Sequence, residues 1–334
     1  MEDPNIDEFG FLQRLTLQLT LGAAAFPDEL RDRHGQYVLS KQLVDGGWGG
    51  REGESDLYYT GFALRTLAVL GLLEGQVAER AAAFLQRQMG SHQGWVDLLS
   101  LVYGAQLIQA SCEIDCMSEV PPQWEDRLSD LLQRLRRPDG GYSKSDEGRA
   151  GSTYQTFLVI VCMELLGRTI PDPMQALRFV LDQRQDDGGF LEIRVGKRSG
   201  TNPTAAAIAS LSCLGALSAG ASNDVAAELN RKELDAPMIV EGATEFLLDL
   251  QNDDGGFQAN TRMPVSDVLS TFTACTTLWE LGQLQQVRLD RTANYVRSME
   301  RASGGFAGFE LDPAEDIEYT FYGLGTLALC QAEG

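Results

Sequence analysis

Arg194, Lys197 and Arg198 form a cluster of three cations within five residues of a chain whose formal net charge is −21. Guanidinium and ammonium groups grouped against such a background are suited to hold a diphosphate or a carboxylate. A plainer alternative is a solvated loop that balances Asp186, Asp187 and Glu192. A second set of residues is aromatic: Tyr58, Tyr59, Tyr154, Phe157, Phe272, Trp279, Tyr319, Phe321 and Tyr322. Aromatic faces pack on unsaturated chains and stabilise cations, though ordinary core packing uses the same residues. Metal-ligating side chains are sparse. There are two histidines, His34 and His92, and six cysteines. Cys112 and Cys116 stand four apart, which predicts one helix face, but no histidine or second cysteine pair accompanies them. Asp267, Asp316 and Glu318 are candidate carboxylates for a glycoside hydrolase, yet no motif pairs them across a cleft.

The elements that position these residues are read from internal repetition. Asp45-Gly46-Gly47-Trp48, Gly94-Trp95, Asp139-Gly140-Gly141-Tyr142, Asp187-Gly188-Gly189-Phe190, Asp254-Gly255-Gly256-Phe257 and Gly304-Gly305-Phe306 recur along the chain. Successive turns lie 47, 47, 48, 67 and 49 residues apart, so the long interval holds about 19 extra residues. The polar, charged composition of 218–237 marks that segment as a surface insertion or a fraying helix. In each unit an amphipathic helix such as Gln76–Gln88 ends at the glycines, which supply positive φ and a sharp turn. A loop then leads to a second helix with almost no charge: Tyr58–Leu70, Thr153–Leu166, Pro203–Leu214, Ser270–Leu281 and Tyr319–Leu329. Uncharged helices inside a ring of amphipathic ones satisfy both patterns. An open stack needs a polar capping repeat, and the last helix is as apolar as the others. The expected fold is therefore all-α, a closed α/α toroid of about six repeats forming one domain over 1–334.

Composition narrows the function. A hydrophobic share of 43% builds a sizeable core, and no apolar run approaches the length of a membrane span. The acidic start, Met1-Glu2-Asp3-Pro4, lacks the basic and apolar regions of a secretory signal. The expectation is a soluble cytoplasmic protein with free thiols. The negative charge argues against nucleic acid and anionic membrane surfaces as partners.

Gly-Gly-aromatic turns at this spacing resemble the toroid shared by protein prenyltransferase β subunits and the squalene and terpene cyclases. Arg33-His34-Gly35-Gln36-Tyr37-Val38 is similar to the Lys-His-Ala-Asp-Tyr-Ile helix of the type II (Rab) geranylgeranyltransferase β-subunit family. Ser266-Asp267-Val268 resembles its Pro-Asp-Val-Cys segment, and Asp316-Ile317-Glu318-Tyr319-Thr320-Phe321-Tyr322-Gly323 its Asp-Pro-Phe-His-Thr-Leu-Phe-Gly repeat. The resemblance implies an isoprenoid diphosphate ligand, a helical partner subunit, and a zinc ion held by Asp, Cys and His. The Asp is present as Asp267, but Leu269 stands at the Cys position and Tyr319 at the His position. Leucine ligates nothing, and Cys275 is about 12 Å farther along the helix. The expected cofactor is therefore none, with the family zinc lost. The family's diphosphate Arg and Lys fall near Asn260 and Pro264, with Arg262 as the cation between them; its Tyr falls at Ser270 and its His near Ser199.

Three functions follow as expectations. The leading one is a zinc-less prenyltransferase β-subunit-like protein with an isoprenoid or other lipid-like ligand in its cavity. In it Arg194, Lys197, Arg198 and Arg262 hold the diphosphate, and Tyr58, Tyr59, Tyr154, Phe272, Trp279 and Tyr322 line the chain site. If transfer occurs, Asp267 is its general base or cation stabiliser and Tyr319 a hydroxyl donor at the mouth. The second is a non-catalytic binding or scaffold module that pairs with a helical partner or with itself. The third is a terpene-cyclase-like enzyme, weakened by the absence of an Asp-x-Asp-Asp motif.

Overall fold

The computed structural model describes residues 9–89, 94–118, 123–218 and 220–332. His92 and the Met1–Pro4 segment lie outside them. Among the described residues there are fourteen α-helices. In chain order they are α1 (Phe11–Ala23), α2 (Asp28–Ser40), α3 (Leu57–Val69), α4 (Gly75–Gln88), α5 (Trp95–Cys112), α6 (Trp124–Leu135) and α7 (Thr153–Leu165). They continue as α8 (Pro173–Leu181), α9 (Thr201–Cys213), α10 (Asn223–Arg231), α11 (Ala236–Asp249), α12 (Val268–Glu280), α13 (Leu289–Ser298) and α14 (Ile317–Ala332).

Helices α3, α5, α7, α9, α12 and α14 each pack on the next, and α14 packs back on α3, which closes the inner ring. These helices are buried on most sides: α7 buries residues on every face, from Thr153 and Gln155 through Val159 and Cys162 to Leu165. The outer helices are amphipathic. Helix α4 buries Ala78, Ala81, Ala82, Phe84 and Leu85 at helical spacing and exposes Glu79. Helix α2 packs on α3, α4 on α5, α8 on α9, α11 on α9 and α12, and α13 on α14. The closed toroid expected from the repeats is what forms.

The Gly-Gly turns stitch neighbouring repeats. Gly188 has φ +83°, and an added Cβ would lie 2.2 Å from the carbonyl oxygen of Gly242 in α11. Gly304, at φ +96°, would meet the Arg33 carbonyl of α2 at 2.7 Å. Only glycine tolerates both the left-handed backbone and this approach. Behind each glycine the aromatic amide is satisfied by a buried threonine of the inner helix: Trp48 N–H donates to Thr60, Tyr142 to Thr156, Phe190 to Thr204, Phe257 to Thr271 and Phe306 to Thr320. Two of the connecting loops double back as two-residue antiparallel ladders, Phe257–Gln258 with Ser266–Asp267 and Phe306–Ala307 with Glu315–Asp316.

Three sequence expectations change. Gly94-Trp95 does not precede a loop: Gly94 caps α5 and Trp95 is its first residue, so α5 is a sixth inner helix absent from the predicted set. Cys112 ends α5, and Cys116 follows a left-handed residue, Glu113, so the two thiols do not share a helix face. All six cysteines are free, and burial pushes the Cys116 thiol up to about 11. The 218–237 segment, expected to be a surface insertion or a fraying helix, contains a docked helix, α10. Val225 and Leu229 are buried, and buried Glu228 binds Arg178 of α8 at 2.9 Å and Arg231. Helix α1, which no sequence expectation covered, belongs to no helix pair. It lies across the ring end where the inner helices finish: Phe11 N–H donates to Glu164 of α7 at 2.8 Å, Arg14 pairs with Glu280 of α12 at 2.8 Å, and Gly22 abuts the Ala328 carbonyl of α14.

Candidate functional site

The ring encloses a cavity of about 590 Å³, within the range of roughly 300–1,000 Å³ typical of small-molecule sites. All six inner helices line it, and Phe11, Leu12, Leu15, Thr16 and Leu19 of α1 form its floor. Its wall is an aromatic cluster. Phe62 meets Tyr58, Tyr322 and Phe321 at centroid distances of 5.0, 5.2 and 5.7 Å, and Phe272 meets Tyr322 and Phe321 at 5.2 and 5.4 Å. Such a surface suits an apolar, unsaturated chain and would also stabilise a carbocation.

Of the aromatics singled out from sequence, Tyr58, Tyr154, Phe272 and Tyr322 line this cavity, as do Phe157 and Phe321. Tyr59 and Tyr319 face a separate recess at the mouth, between the loops of the first and last repeats. Trp279 borders neither space. In the recess Arg51 binds Asp312 at 2.9 Å and Asp316 at 3.2 Å, which ties the two loops together. The hydrogen bonds from Arg51 hold the Asp312 carboxyl below its usual range. Burial pushes the Tyr319 phenol up to about 12.

Arg194, Lys197 and Arg198 are exposed on the loop 191–200, and Arg262 on the loop that follows Phe257. Arg198 reaches Thr261 at 3.4 Å, which brings the two loops together. None of the four lines the cavity or the mouth recess. The exposure of the cluster is that of a solvated loop; Asp187 binds Gly189 N–H and Ser199, Glu192 accepts from Ser152, and among the described residues neither forms an ion pair with the cluster.

Three charged residues line the cavity, Arg65, Glu192 and Glu318, and two of them carry the polar chemistry of the site. Glu318 receives hydrogen bonds from Tyr58 at 2.7 Å and Tyr322 at 3.2 Å, and burial nevertheless raises its carboxyl above the ordinary range. Arg65 of α3 stacks against the faces of Phe62, Tyr103 and Phe321. Arg65 was not legible as a site residue from spacing. One signal existed: it is the lone charge in Leu57–Val69, as Glu318 is in Ile317–Ala332, and an isolated charge in a buried helix calls for a reason.

The chain matches the family of the prenyltransferase alpha-alpha toroid domain over residues 15–100, 103–236 and 229–334. It belongs to that family. Among known proteins, this prenyltransferase toroid is 26% identical over 163 residues to the protein farnesyltransferase subunit beta of Schizosaccharomyces pombe, covering 46% of the chain and 41% of the relative. It is 26% identical over 217 residues to the drimenyl diphosphate synthase of Streptomyces showdoensis, covering 62% of the chain and 36% of that enzyme. The matches thus span well under half the length of either relative. Among solved structures it is similar to Candida albicans protein geranylgeranyltransferase-I complexed with GGPP (TM-score 0.68, 16% identity, 90% of this chain and 91% of that one). It is also similar to the type II terpene cyclase MstE from Scytonema (TM-score 0.60, 14% identity, 95% and 98%). At these identities the structures establish the fold alone.

The three residues that the sequence resemblance placed at zinc-ligand positions, Asp267, Leu269 and Tyr319, have separate surroundings. Both carboxylate oxygens of Asp267 accept from Ser270, from the amide at 2.6 Å and the hydroxyl at 2.7 Å, so Asp267 caps α12. Asp56 caps α3 in the same way through Tyr59 N–H, and Asp316 accepts from Tyr319 N–H at 2.9 Å. Burial raises the Asp267 carboxyl despite its hydrogen bonds. Leu269 lines the apolar cavity, and the Tyr319 side chain faces the recess. Among the described residues no group of three or more His, Cys, Asp or Glu side chains is placed to hold a metal ion, and no helix is long and apolar enough to cross a membrane.

Proposed function

We propose that this prenyltransferase toroid binds an isoprenoid or other lipid-like chain in its central cavity and works without zinc. The observation that carries the reading is the enclosed aromatic cavity, closed at one end by α1 and lined by every inner helix. Its volume and apolar wall match the burial requirement of a flexible hydrocarbon chain. Likeness to a geranylgeranyltransferase crystallised with GGPP and to a terpene cyclase supports the same ligand class. The resemblance of 33–38 and 316–323 to the type II β-subunit family favours that branch. On the metal, the argument is the donor set: leucine and tyrosine stand where thiolate and imidazole are needed. For a diphosphate, the rim cations Arg194, Lys197, Arg198 and Arg262 are the candidates outside the cavity.

The test is calorimetry and thermal denaturation with farnesyl and geranylgeranyl diphosphates and the corresponding alcohols. Binding with a raised melting temperature is expected. If none of the four ligands binds, the reading is wrong. Metal analysis of the purified protein should find no stoichiometric zinc, and one zinc per chain would overturn the zinc-free assignment.

A second, terpene-cyclase-like reading is favoured by Glu318, a carboxyl that burial keeps toward its protonated form beside aromatic faces. Such a group can donate a proton to an alkene where cations are stabilised. Incubation with unsaturated isoprenoids and product analysis decides it: cyclised products that disappear in Glu318→Gln support it, and products that persist in that variant exclude Glu318 as the acid.

A further inference from the structure

Arg65 is the only cation among the described residues that line the cavity. Its guanidinium carbon lies 4.8 Å from the ring centre of Phe62, 5.1 Å from Tyr103 and 5.9 Å from Phe321. Cation–π contacts engage the face of the group and leave its N–H donors, which lie in the guanidinium plane, without acceptors. Nε is shielded from solvent and has no hydrogen-bond partner, and Glu318 feels the Arg65 charge without forming an ion pair with it. Of the other half-buried arginines, Arg14 pairs with Glu280 and Arg33 with Glu300, while Arg184, like Arg65, has an unpartnered buried Nε but does not line the cavity. A half-buried cation without an ion-pair partner is costly, and a chain with 48 acidic residues has no shortage of candidates.

The two carboxyls of the cavity do not fill the role. Glu318 is engaged by the hydroxyls of Tyr58 and Tyr322, and Glu192 by that of Ser152. An acceptor for Arg65 must then come from what enters the ring. Charge limits its kind. The cavity offers one cation and two carboxyls, so a diphosphate there would bring several negative charges to a single guanidinium and face Glu192 and Glu318 as well. A single carboxylate leaves Arg65 neutralised, and its two oxygens match the guanidinium fork.

Building on the lipid-binding reading of the cavity, we propose that Arg65 anchors one carboxylate carried by the ligand. The apolar part of that ligand lies against the aromatic wall and the α1 floor. The preferred ligand is thus a terpenoid or prenylated acid, distinct from an isoprenoid diphosphate held at the rim.

The experiment compares three probes that share one chain: geranylgeranoic acid, geranylgeraniol and geranylgeranyl diphosphate, titrated by calorimetry into the full-length protein, Arg65→Gln and Arg65→Lys. The acid should bind the native protein about 10- to 100-fold more tightly than the alcohol. Arg65→Gln should abolish that preference while still binding the alcohol, and Arg65→Lys should retain part of it. An acid that binds no better than the alcohol to the native protein overturns the anchor and leaves the lipid site standing, and this comparison needs no variant to fold. A preference unchanged in Arg65→Gln, or a diphosphate that binds more tightly than the acid in an Arg65-dependent way, also overturns it. If none of the three probes binds the native protein, the lipid-site reading itself fails.

Discussion

A single threonine hydroxyl fixes each Gly-Gly-aromatic turn to its inner helix, and Thr271 is representative: it is fully buried and accepts the Phe257 amide at 3.0 Å. Thr271→Val keeps the volume but leaves that amide without an acceptor, so stability should fall by about 1–3 kcal/mol in urea denaturation. These threonines lie 12 or 14 residues after the aromatic and are visible in the chain. Their purpose was not, because nothing in a linear pattern says which buried donor lacks a partner. Glu318 gives a prediction with the opposite sign. Its carboxyl is raised in the fold by burial, so the folded state binds the proton more tightly than the unfolded chain. Its contribution is therefore most favourable below the ordinary glutamate pKa of about 4.3 and is lost as pH rises through the raised value. Glu318→Gln should accordingly gain melting temperature relative to the native protein near pH 7.5, and the gain should shrink towards pH 4. A gain that is equal at both pH values would place the ionisation of Glu318 outside the energetics of folding.

Helix α1 is an element that the repeat pattern does not mark. Leu15 and Leu19 stand four apart on it and face inward. What they cover is the open end of a ring assembled from six other helices, and no local pattern reports that. Leu19 is 1% exposed and helps to form the cavity floor. Leu19→Ala should cost about 2–5 kcal/mol, measured by chemical denaturation; a loss below about 1 kcal/mol would mean that α1 is not a packed part of the ring. Helix α10 was legible in part. The polar sequence of 218–237 reads as surface, which it largely is, but the helix is held by Glu228 between Arg178 and Arg231. Sequence spacing located the extra residues, and only the neighbouring α8 explains why they are ordered. For α5 the difficulty was that its entry lacks a second glycine and a loop, so the repeat grammar does not mark its start.

At the scale of the molecule, closure depends on contacts between the two ends of the repeat array. His34 of α2 accepts the Gly305 amide at 3.0 Å and stacks on Phe306 at 4.6 Å, while Tyr37 packs against Gly304. At the mouth, Arg51 joins Asp312 and Asp316. Gly304→Ala should therefore lower the melting temperature well beyond Gly71→Ala. Both glycines have positive φ, but a Cβ at Gly71 meets nothing within 4 Å, whereas one at Gly304 would intrude on α2. Equal effects would show that only backbone conformation, and not the approach of the ends, matters there. The sequence by itself determined the repeat, the helix types, the ring and the family, because glycine spacing and charge-free periodicity are local properties repeated six times. The resemblance sets leucine and tyrosine, Leu269 and Tyr319, at two of the three expected zinc positions, and metal analysis is what tests that assignment. Only the tertiary structure decided that Tyr59 and Tyr319 line the mouth recess and not the central cavity, that Trp279 borders neither of the two, and that the cationic loop stays at the surface. It also placed Arg65 and Glu318 within the chamber. Which side of a buried helix faces a cavity is set by how six helices meet, and a helix that is apolar all round carries no mark of its inward face.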